Sequence, residues 1–235
     1  MKVVIVGGVA GGASAAARLR RLDEQAQITI YERSGYISYA NCGLPYYIGG
    51  TIQKQAELTL QTPASFKKRF NIEVKVSHEV QAIDRAKKQV TVCDLASGQV
   101  FQAGYDKLIL APGAQPVRPP LPGVDSSRLY TLRTVEDTLR IREIAASGQV
   151  KSAVVIGGGF IGVEMAENLR ELGLAVSLIQ RENHLLAPLD QDLASFLHAH
   201  MREKGVKLLL EQSVTGFAET ETGLSVQLAG SEPVS

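Results

Sequence analysis

The stretch Val3-Val4-Ile5-Val6-Gly7-Gly8-Val9-Ala10-Gly11-Gly12 sets the reading of the chain, because Ala153-Val154-Val155-Ile156-Gly157-Gly158-Gly159-Phe160-Ile161-Gly162 repeats its plan. In each, a short apolar run without polar alternation reads as a buried strand, and the glycines after it read as a tight turn. An Ala-rich helix is expected after the first turn, from about residue 13 to 22, and a second strand, Ile28-Thr29-Ile30-Tyr31, ends in Glu32. The later copy continues as a helix to about Leu172 and a strand Ala175-Val176-Ser177-Leu178-Ile179. Strand, glycine turn, helix and strand within about 30 residues is the plan of a dinucleotide-binding unit. One glycine allows the turn, one lets the backbone approach a pyrophosphate, and one lets helix and strand pack closely. The free N–H groups of the helix N-terminus then face the phosphates. The expected fold class is α/β, with two Rossmann-like dinucleotide-binding domains.

The two copies differ where specificity is set. Val9 stands in place of the usual middle glycine of the first turn. Glu32 lies 20 residues past Gly12, placed to accept hydrogen bonds from an adenosine ribose. The corresponding end of the second unit reads Ile179-Gln180-Arg181. An acid there repels a ribose 2′-phosphate, whereas an arginine can hold one. The first unit therefore reads as a site for an adenine dinucleotide without that phosphate, such as FAD. The second reads as a site for NADPH, with NADH left open. A flavin and a nicotinamide held by one chain form a hydride-transfer pair. The domains expected are 1–149, FAD-binding and containing Cys42, and 150–235, NAD(P)H-binding.

Composition removes several classes. The 235 residues are 45% hydrophobic and 21% charged, a globular make-up. Lys+Arg 25 against Asp+Glu 24 leaves a formal charge of +1, so bulk charge draws neither nucleic acid nor an anionic membrane. The lack of Trp and 6% aromatic content argue against sugar- or RNA-stacking platforms. The apolar start ending in Ala15-Ala16-Ala17 imitates a short signal peptide, but four glycines interrupt it and the helix runs on into Arg18-Leu19-Arg20-Arg21. No run reaches the ~18–20 apolar residues of a membrane span. The expected location is the cytoplasm. His198 and His200 are two apart and His78 and His184 are isolated, so no metal site is expected.

The two cysteines have opposite settings. Cys42 lies in Ser38-Tyr39-Ala40-Asn41-Cys42-Gly43-Leu44-Pro45-Tyr46-Tyr47-Ile48-Gly49-Gly50. Gly43 gives access, and Pro45 suits a first helical turn, so the sulfur is expected near a helix N-terminus that favours the thiolate. No second cysteine stands at a C-x-x-C or C-x4-C spacing, so Cys42 must pair with a small thiol or cycle through a sulfenic acid. Cys93, in the alternating strand Gln89-Val90-Thr91-Val92-Cys93, reads as structural.

The glycine turns, the Asn41-Cys42-Gly43-Leu44-Pro45-Tyr46-Tyr47 stretch and Tyr105-Asp106-Lys107-Leu108-Ile109-Leu110-Ala111-Pro112-Gly113-Ala114 carry a resemblance. The chain resembles the coenzyme A-disulfide reductase group of the single-cysteine pyridine nucleotide-disulfide oxidoreductases. These are FAD enzymes and include NADH-dependent persulfide reductases. The resemblance implies that Gly7, Ala10, Gly11, Glu32, Arg33 and Ala111 line the FAD, with Val80 near the adenine and Arg133 near the flavin end. Asn41 and Cys42 would face the isoalloxazine. Gly157, Gly159, Phe160, Ile161 and Gly162 would bind the nicotinamide nucleotide, Phe160 covering the flavin until that nucleotide arrives and Glu164 lying near the nicotinamide. Ser14, Arg18, Arg21, Ser38 and Asn41 match positions that contact coenzyme A. Of these, Ser14, Arg18 and Arg21 stand at i, i+4 and i+7. That single stripe suits a phosphate-rich ligand or, alternatively, serves the helix dipole. Lys67, Lys68 and Arg69 read as a solvated face.

The implied activity is reduction of FAD by NADPH or NADH, then of a Cys42–coenzyme A mixed disulfide, with coenzyme A disulfide or a persulfide as substrate. Members of the group are longer: they add a strand ending in Gly-Asp and a C-terminal dimerisation domain. No Gly-Asp pair occurs here, and Gly230-Ser231-Glu232-Pro233-Val234-Ser235 reads as a loop. Both domains are therefore expected to lack their C-terminal parts, and a homodimer is expected of the longer protein. Two alternatives stay open: an NADH oxidase or peroxidase cycling a Cys42 sulfenic acid, and a non-catalytic nucleotide-binding fragment.

Overall fold

The computed structural model describes residues 1–235. The first half runs β1 (Lys2–Val6), α1 (Ala10–Leu22), β2 (Gln27–Tyr31), α2 (Leu44–Gly49), α3 (Pro63–Phe70), β3 (Glu73–Lys75), β4 (His78–Asp84), β5 (Gln89–Asp94), β6 (Val100–Gly104) and β7 (Lys107–Leu110). The second runs α4 (Val135–Ala146), β8 (Ser152–Ile156), α5 (Phe160–Glu171), β9 (Ala175–Ile179), α6 (Gln191–Glu203), β10 (Lys207–Leu209), β11 (Val214–Glu219), β12 (Leu224–Leu228) and β13 (Ser231–Val234). Two compact units form: Met1–Asn41 with Lys54–Gln115, and Cys42–Gln53 with Pro116–Ser235.

The first unit is built on a parallel sheet in the order β3-β2-β1-β7. The run Val3-Val4-Ile5 is apolar throughout because both faces of the sheet are covered. Successive side chains point to opposite faces. Val3 and Ile5 pack with Ala13 and Ala16 of α1, Phe66 of α3, and Ile28 and Ile30 of β2. Val4 faces the other way, with Tyr31, onto Val90 and Val92 of the antiparallel sheet β4-β5-β6. Each large apolar side chain buried in this way contributes roughly 1.5–3 kcal/mol of transfer free energy.

The second unit repeats the scheme. Its parallel sheet has the order β10-β9-β8, and Val176 and Leu178 pack with Met165, Ala166 and Leu169 of α5 and Met201 of α6. Ile179 turns to the opposite face, against Val226, Leu228 and Val234 of the antiparallel sheet β11-β12-β13. The α/β class with two Rossmann-like units is what the repeat predicts.

Two details differ from the sequence reading. Helix α1 begins at Ala10, inside the glycine stretch, because Val9 already serves as its N-cap residue with φ −91°. The ending expected to be a loop is strand β13, paired antiparallel with β12 across the turn at Gly230. The compact units do not follow one cut at 149/150, since residues 42–53 and 116–149 pack with the later unit. That expected cut separates the chain by the cofactor each part serves, and it stays an expectation.

Candidate functional site

The two glycine turns have the same construction. Gly7 and Gly157 take φ +95° and +103°, a left-handed conformation that side chains disfavour, and each donates its N–H to the last carbonyl of the neighbouring strand, Tyr31 or Ile179, at 2.8 Å. A Cβ on Gly12 would stand 1.8 Å from the Gly7 carbonyl oxygen, and one on Gly162 1.9 Å from that of Gly157. Helix and turn therefore touch backbone to backbone in both copies. Around Gly157 and Gly159, by contrast, a Cβ would meet nothing within 4 Å. Phe160 and Ile161 beside them are 62% and 55% exposed.

The helices that leave these turns lack side-chain caps. Neither α1 nor α5 has a capping hydrogen bond or an acidic residue in its first turn. Helices α3 and α4 close theirs with full capping boxes from Thr62 and Thr134. The first amides of α1 and α5 thus remain available, which is the donor set that a pyrophosphate needs. The turns fit the phosphates of a dinucleotide.

The residues at the strand ends tie each turn to the loop beyond it. Glu32, buried, accepts from the Gly8 N–H at 2.7 Å and from the Ser34 N–H at 2.8 Å. Gln180 accepts from the Gly158 N–H at 3.1 Å, and its amide donates to the His184 carbonyl at 3.4 Å. Arg181 is exposed and paired with the Glu182 carboxylate at 3.0 Å. Arg33 is likewise exposed, near Glu79 at 3.5 Å.

Cys42 is exposed, in the 3-10 turn Asn41–Gly43 that leads directly into α2, with Pro45 in the first positions of that helix. Cys93 on β5 is half-buried, and neither cysteine forms a disulfide. Helix α2 is fastened within the second unit. Ile48 joins the core with Ala145 and Met165. Arg142 of α4 donates from Nη1 to the carbonyls of Tyr47 at 2.5 Å and Ile52 at 3.1 Å, its guanidinium lying 4.1 Å from the Tyr47 ring centre. A Cβ on Gly49 would fall 2.1 Å from Asn168 Oδ1, so α2 and α5 approach as closely as a bare glycine permits. Glu164 on α5 reaches the Tyr46 phenol, and its negative charge raises the pKa of that phenol, with burial and Glu167 adding to the effect.

A family model described as pyridine nucleotide-disulphide oxidoreductase matches residues 1–234. The chain belongs to that family. Coenzyme A disulfide reductase of Staphylococcus haemolyticus is 39% identical over 218 residues, which cover 93% of this chain and 49% of that protein. Among solved structures, reduced CoADR-RHD of Bacillus anthracis superposes with a TM-score of 0.95 at 45% identity, covering 99% of this chain and 42% of the other. An NAD-dependent persulfide reductase from A. fulgidus gives 0.94 at 34% identity, covering 99% and 44%. The chain spans about half the length of the curated relatives it matches.

The remaining family positions fall as follows. Ala111 stands against Gly7, where a Cβ on the glycine would meet the Ala111 carbonyl oxygen at 2.0 Å. Ala10 and Gly11 are exposed at the start of α1, and Val80 packs on the Tyr31 cluster. Arg133 precedes α4, its N–H donating to Asp137 Oδ2 at 3.0 Å. Ser14, Arg18 and Arg21 are all exposed on α1, while Ser38 takes φ +46° and donates its N–H to the Gly8 carbonyl at 3.0 Å.

Sequence reasoning missed a pair of arginines. Arg20 binds the carbonyls of Phe70, Asp23, Glu24 and Asn71, joining the ends of α1 and α3. Arg170 binds those of Leu174 and Lys204, joining α5 and α6. Each stands eight residues after the last glycine of its turn, a repeat signal that was there to be read. No helix is long and apolar enough to cross a membrane.

Proposed function

We propose that the chain carries the nucleotide-binding parts and the redox cysteine of an NAD(P)H-dependent flavoprotein disulfide reductase, with coenzyme A disulfide or a related persulfide as substrate. The observation that carries this reading is Cys42, an exposed thiol without a cysteine partner in a chain with two dinucleotide-type glycine turns. FAD is assigned to Gly7, Ala10, Gly11, Glu32, Arg33, Val80 and Ala111, with Asn41, Cys42 and Arg133 at its flavin end. The nicotinamide nucleotide is assigned to Gly157, Gly159, Phe160, Ile161, Gly162 and Glu164, with Gln180 and Arg181 at the ribose. Coenzyme A is assigned to Ser14, Arg18, Arg21, Ser38 and Asn41. The uncapped helices α1 and α5 and the open space around Gly159 support the nucleotide assignments. The likeness to coenzyme A disulfide reductase and to a persulfide reductase supports the substrate class.

Cys42 acts as the nucleophile. Its thiolate attacks one sulfur of the substrate disulfide, forming a mixed disulfide and expelling the other half as a thiolate. With a persulfide the same attack on the inner sulfur expels hydrosulfide. When bound, the flavin and nicotinamide supply the electron pair that returns the mixed disulfide to Cys42 thiolate and free thiol. The phosphates and the adenosine ends of both nucleotides are held by backbone amides and by Glu32 or Gln180.

The test is the visible spectrum of the 235-residue chain with added FAD, followed by thiol release from coenzyme A disulfide with NADPH or NADH. Retained flavin that bleaches with nucleotide, and thiol release lost in Cys42→Ser, is the expected result. Oxygen or peroxide consumption independent of coenzyme A would point to the sulfenic acid alternative. No retained flavin would show that these residues do not suffice alone.

A further inference from the structure

The loop after β9 carries the second glycine turn, and one histidine holds that loop. Both units seat the turn in the same way. In the first, Ile37 packs under Gly8, the Ser38 N–H donates to the Gly8 carbonyl at 3.0 Å, and Ser38 takes φ +46°. In the second, Leu185 packs under Gly158, the Leu186 N–H donates to the Gly158 carbonyl at 2.7 Å, and Leu186 takes φ +52°. A leucine in the left-handed region persists only where its surroundings hold it.

The ties that hold the two loops are different. In the first unit both oxygens of the Glu32 carboxylate take backbone N–H groups, at 2.7 and 2.8 Å. Gln180 has only one oxygen to offer, and its hydrogen bonds are longer, at 3.1 and 3.4 Å. The second loop gains instead a bond from elsewhere. The Leu185 N–H donates to Nε2 of His198, a side chain of α6 that is 7% exposed, at 3.0 Å. To accept, Nε2 must be free of a proton, so the ring is neutral with its hydrogen on Nδ1. Protonation would put two N–H donors face to face and break the tie.

We propose that neutral His198 is a positioning residue for the second glycine turn, so that its protonation weakens dinucleotide binding there through Leu185 and Leu186. The inference rests on the nucleotide reading of the second unit. His198 acts through the loop and needs no contact with the ligand. Burial lowers the pKa of the ring below the usual histidine value, and the nearby charges of Arg202, on its own helix, and His184, on the loop, push the same way. The tie therefore holds at neutral pH and is lost as pH falls through the lowered pKa of the ring. Glutamine at 198 can still offer an oxygen to the Leu185 N–H but does not titrate.

The experiment measures NAD+ affinity of the 235-residue chain by calorimetry from pH 7.5 to 5, because NAD+ has no 2′-phosphate to titrate in that window. Exchange of the Leu185 amide is followed in parallel. The expected result is a fall in affinity of roughly threefold to tenfold toward acid, the worth of one hydrogen bond, with lower protection of the Leu185 amide once its exchange is divided by the intrinsic rate at each pH. His198→Gln flattens both profiles, whereas His184→Gln keeps both acid transitions and moves them toward higher pH, one cause of the lowered His198 pKa being removed. The inference is overturned if His198→Gln titrates like the wild type, or if His184→Gln is the variant that flattens the curves. Absence of NAD+ binding at every pH would instead sink the nucleotide reading, and the Leu185 exchange profile would still decide whether His198 holds the loop.

Discussion

Glu32 and Gln180 accept the same hydrogen bond, from the second glycine N–H of their respective turns, at 2.7 and 3.1 Å, but only Glu32 brings a charge to it. Both turns share the bond from the first glycine to the neighbouring strand and the bond from the loop to the second glycine carbonyl, so the two acceptors occupy equivalent places. A carboxylate at this place suits a ribose with free hydroxyls and repels a phosphorylated one.

Gln180→Glu is therefore expected to weaken NADPH binding by about tenfold while leaving NADH binding unchanged or tighter, repulsion between a carboxylate and a nearby phosphate being worth about that much. The ratio of the two dissociation constants is the measurement. An unchanged ratio would show that the ribose is not read at residue 180.

Two glycines of one turn should behave oppositely. Gly162→Ala puts a Cβ 1.9 Å from the Gly157 carbonyl oxygen, so the helix must shift, and stability should fall by about 1–3 kcal/mol in urea unfolding. Gly159→Ala meets no atom within 4 Å and keeps φ −78°, so the melting temperature should stay within a degree or two of the wild type. Its methyl group occupies the space assigned to the nucleotide, and affinity should drop. Full affinity in Gly159→Ala would remove the phosphate from that place.

Arg142 should matter to the cysteine segment out of proportion to its distance in sequence. Arg142→Met keeps much of the packing on Tyr47 but removes two bonds to carbonyls, and should cost about 1–3 kcal/mol. With Cys93→Ser as background, faster digestion of the 42–53 segment by a protease would report the loosened α2. A variant as stable and as resistant as the wild type would show that Ile48 and the Gly49 contact with Asn168 hold α2 unaided.

The parts legible in the sequence are those that repeat or lie close together in the chain. The strand–turn–helix units, the Glu32 and Gln180 positions and the Cys42 turn before Pro45 all rest on contacts within about 30 residues. The attachment of α2 to the later unit was not legible, because it depends on Arg142 finding carbonyls more than 80 residues back. Strand β13 was hidden for a related reason. Gly230 and Pro233 are turn signals in isolation, and only the partner strand β12 converts the segment to an edge strand, where proline is tolerated. His198 gave no signal at all, since its bond is to a backbone N–H, which every residue but proline carries.

The phenol of Tyr46 offers a probe of the cysteine segment that needs no cofactor. Its pKa is raised, first by the Glu164 carboxylate and then by burial, Glu167 and Cys42, so it remains protonated well into the alkaline range. A raised phenol pKa means that the neutral form is favoured by the fold. The stability this confers is present below the unfolded value near pH 10 and is lost as pH rises through the folded pKa. Glu164→Gln removes the largest cause, and Tyr46 should then ionise closer to pH 10, seen as tyrosinate absorbance in difference spectra against Tyr46→Phe. Tyr31 serves as the internal control, because its own raised pKa comes from burial and from Glu73, and should not move. If Tyr46 titrated identically in Glu164→Gln, α2 and α5 would not be held together in solution as they are here, and the seat described for Cys42 would have to be given up.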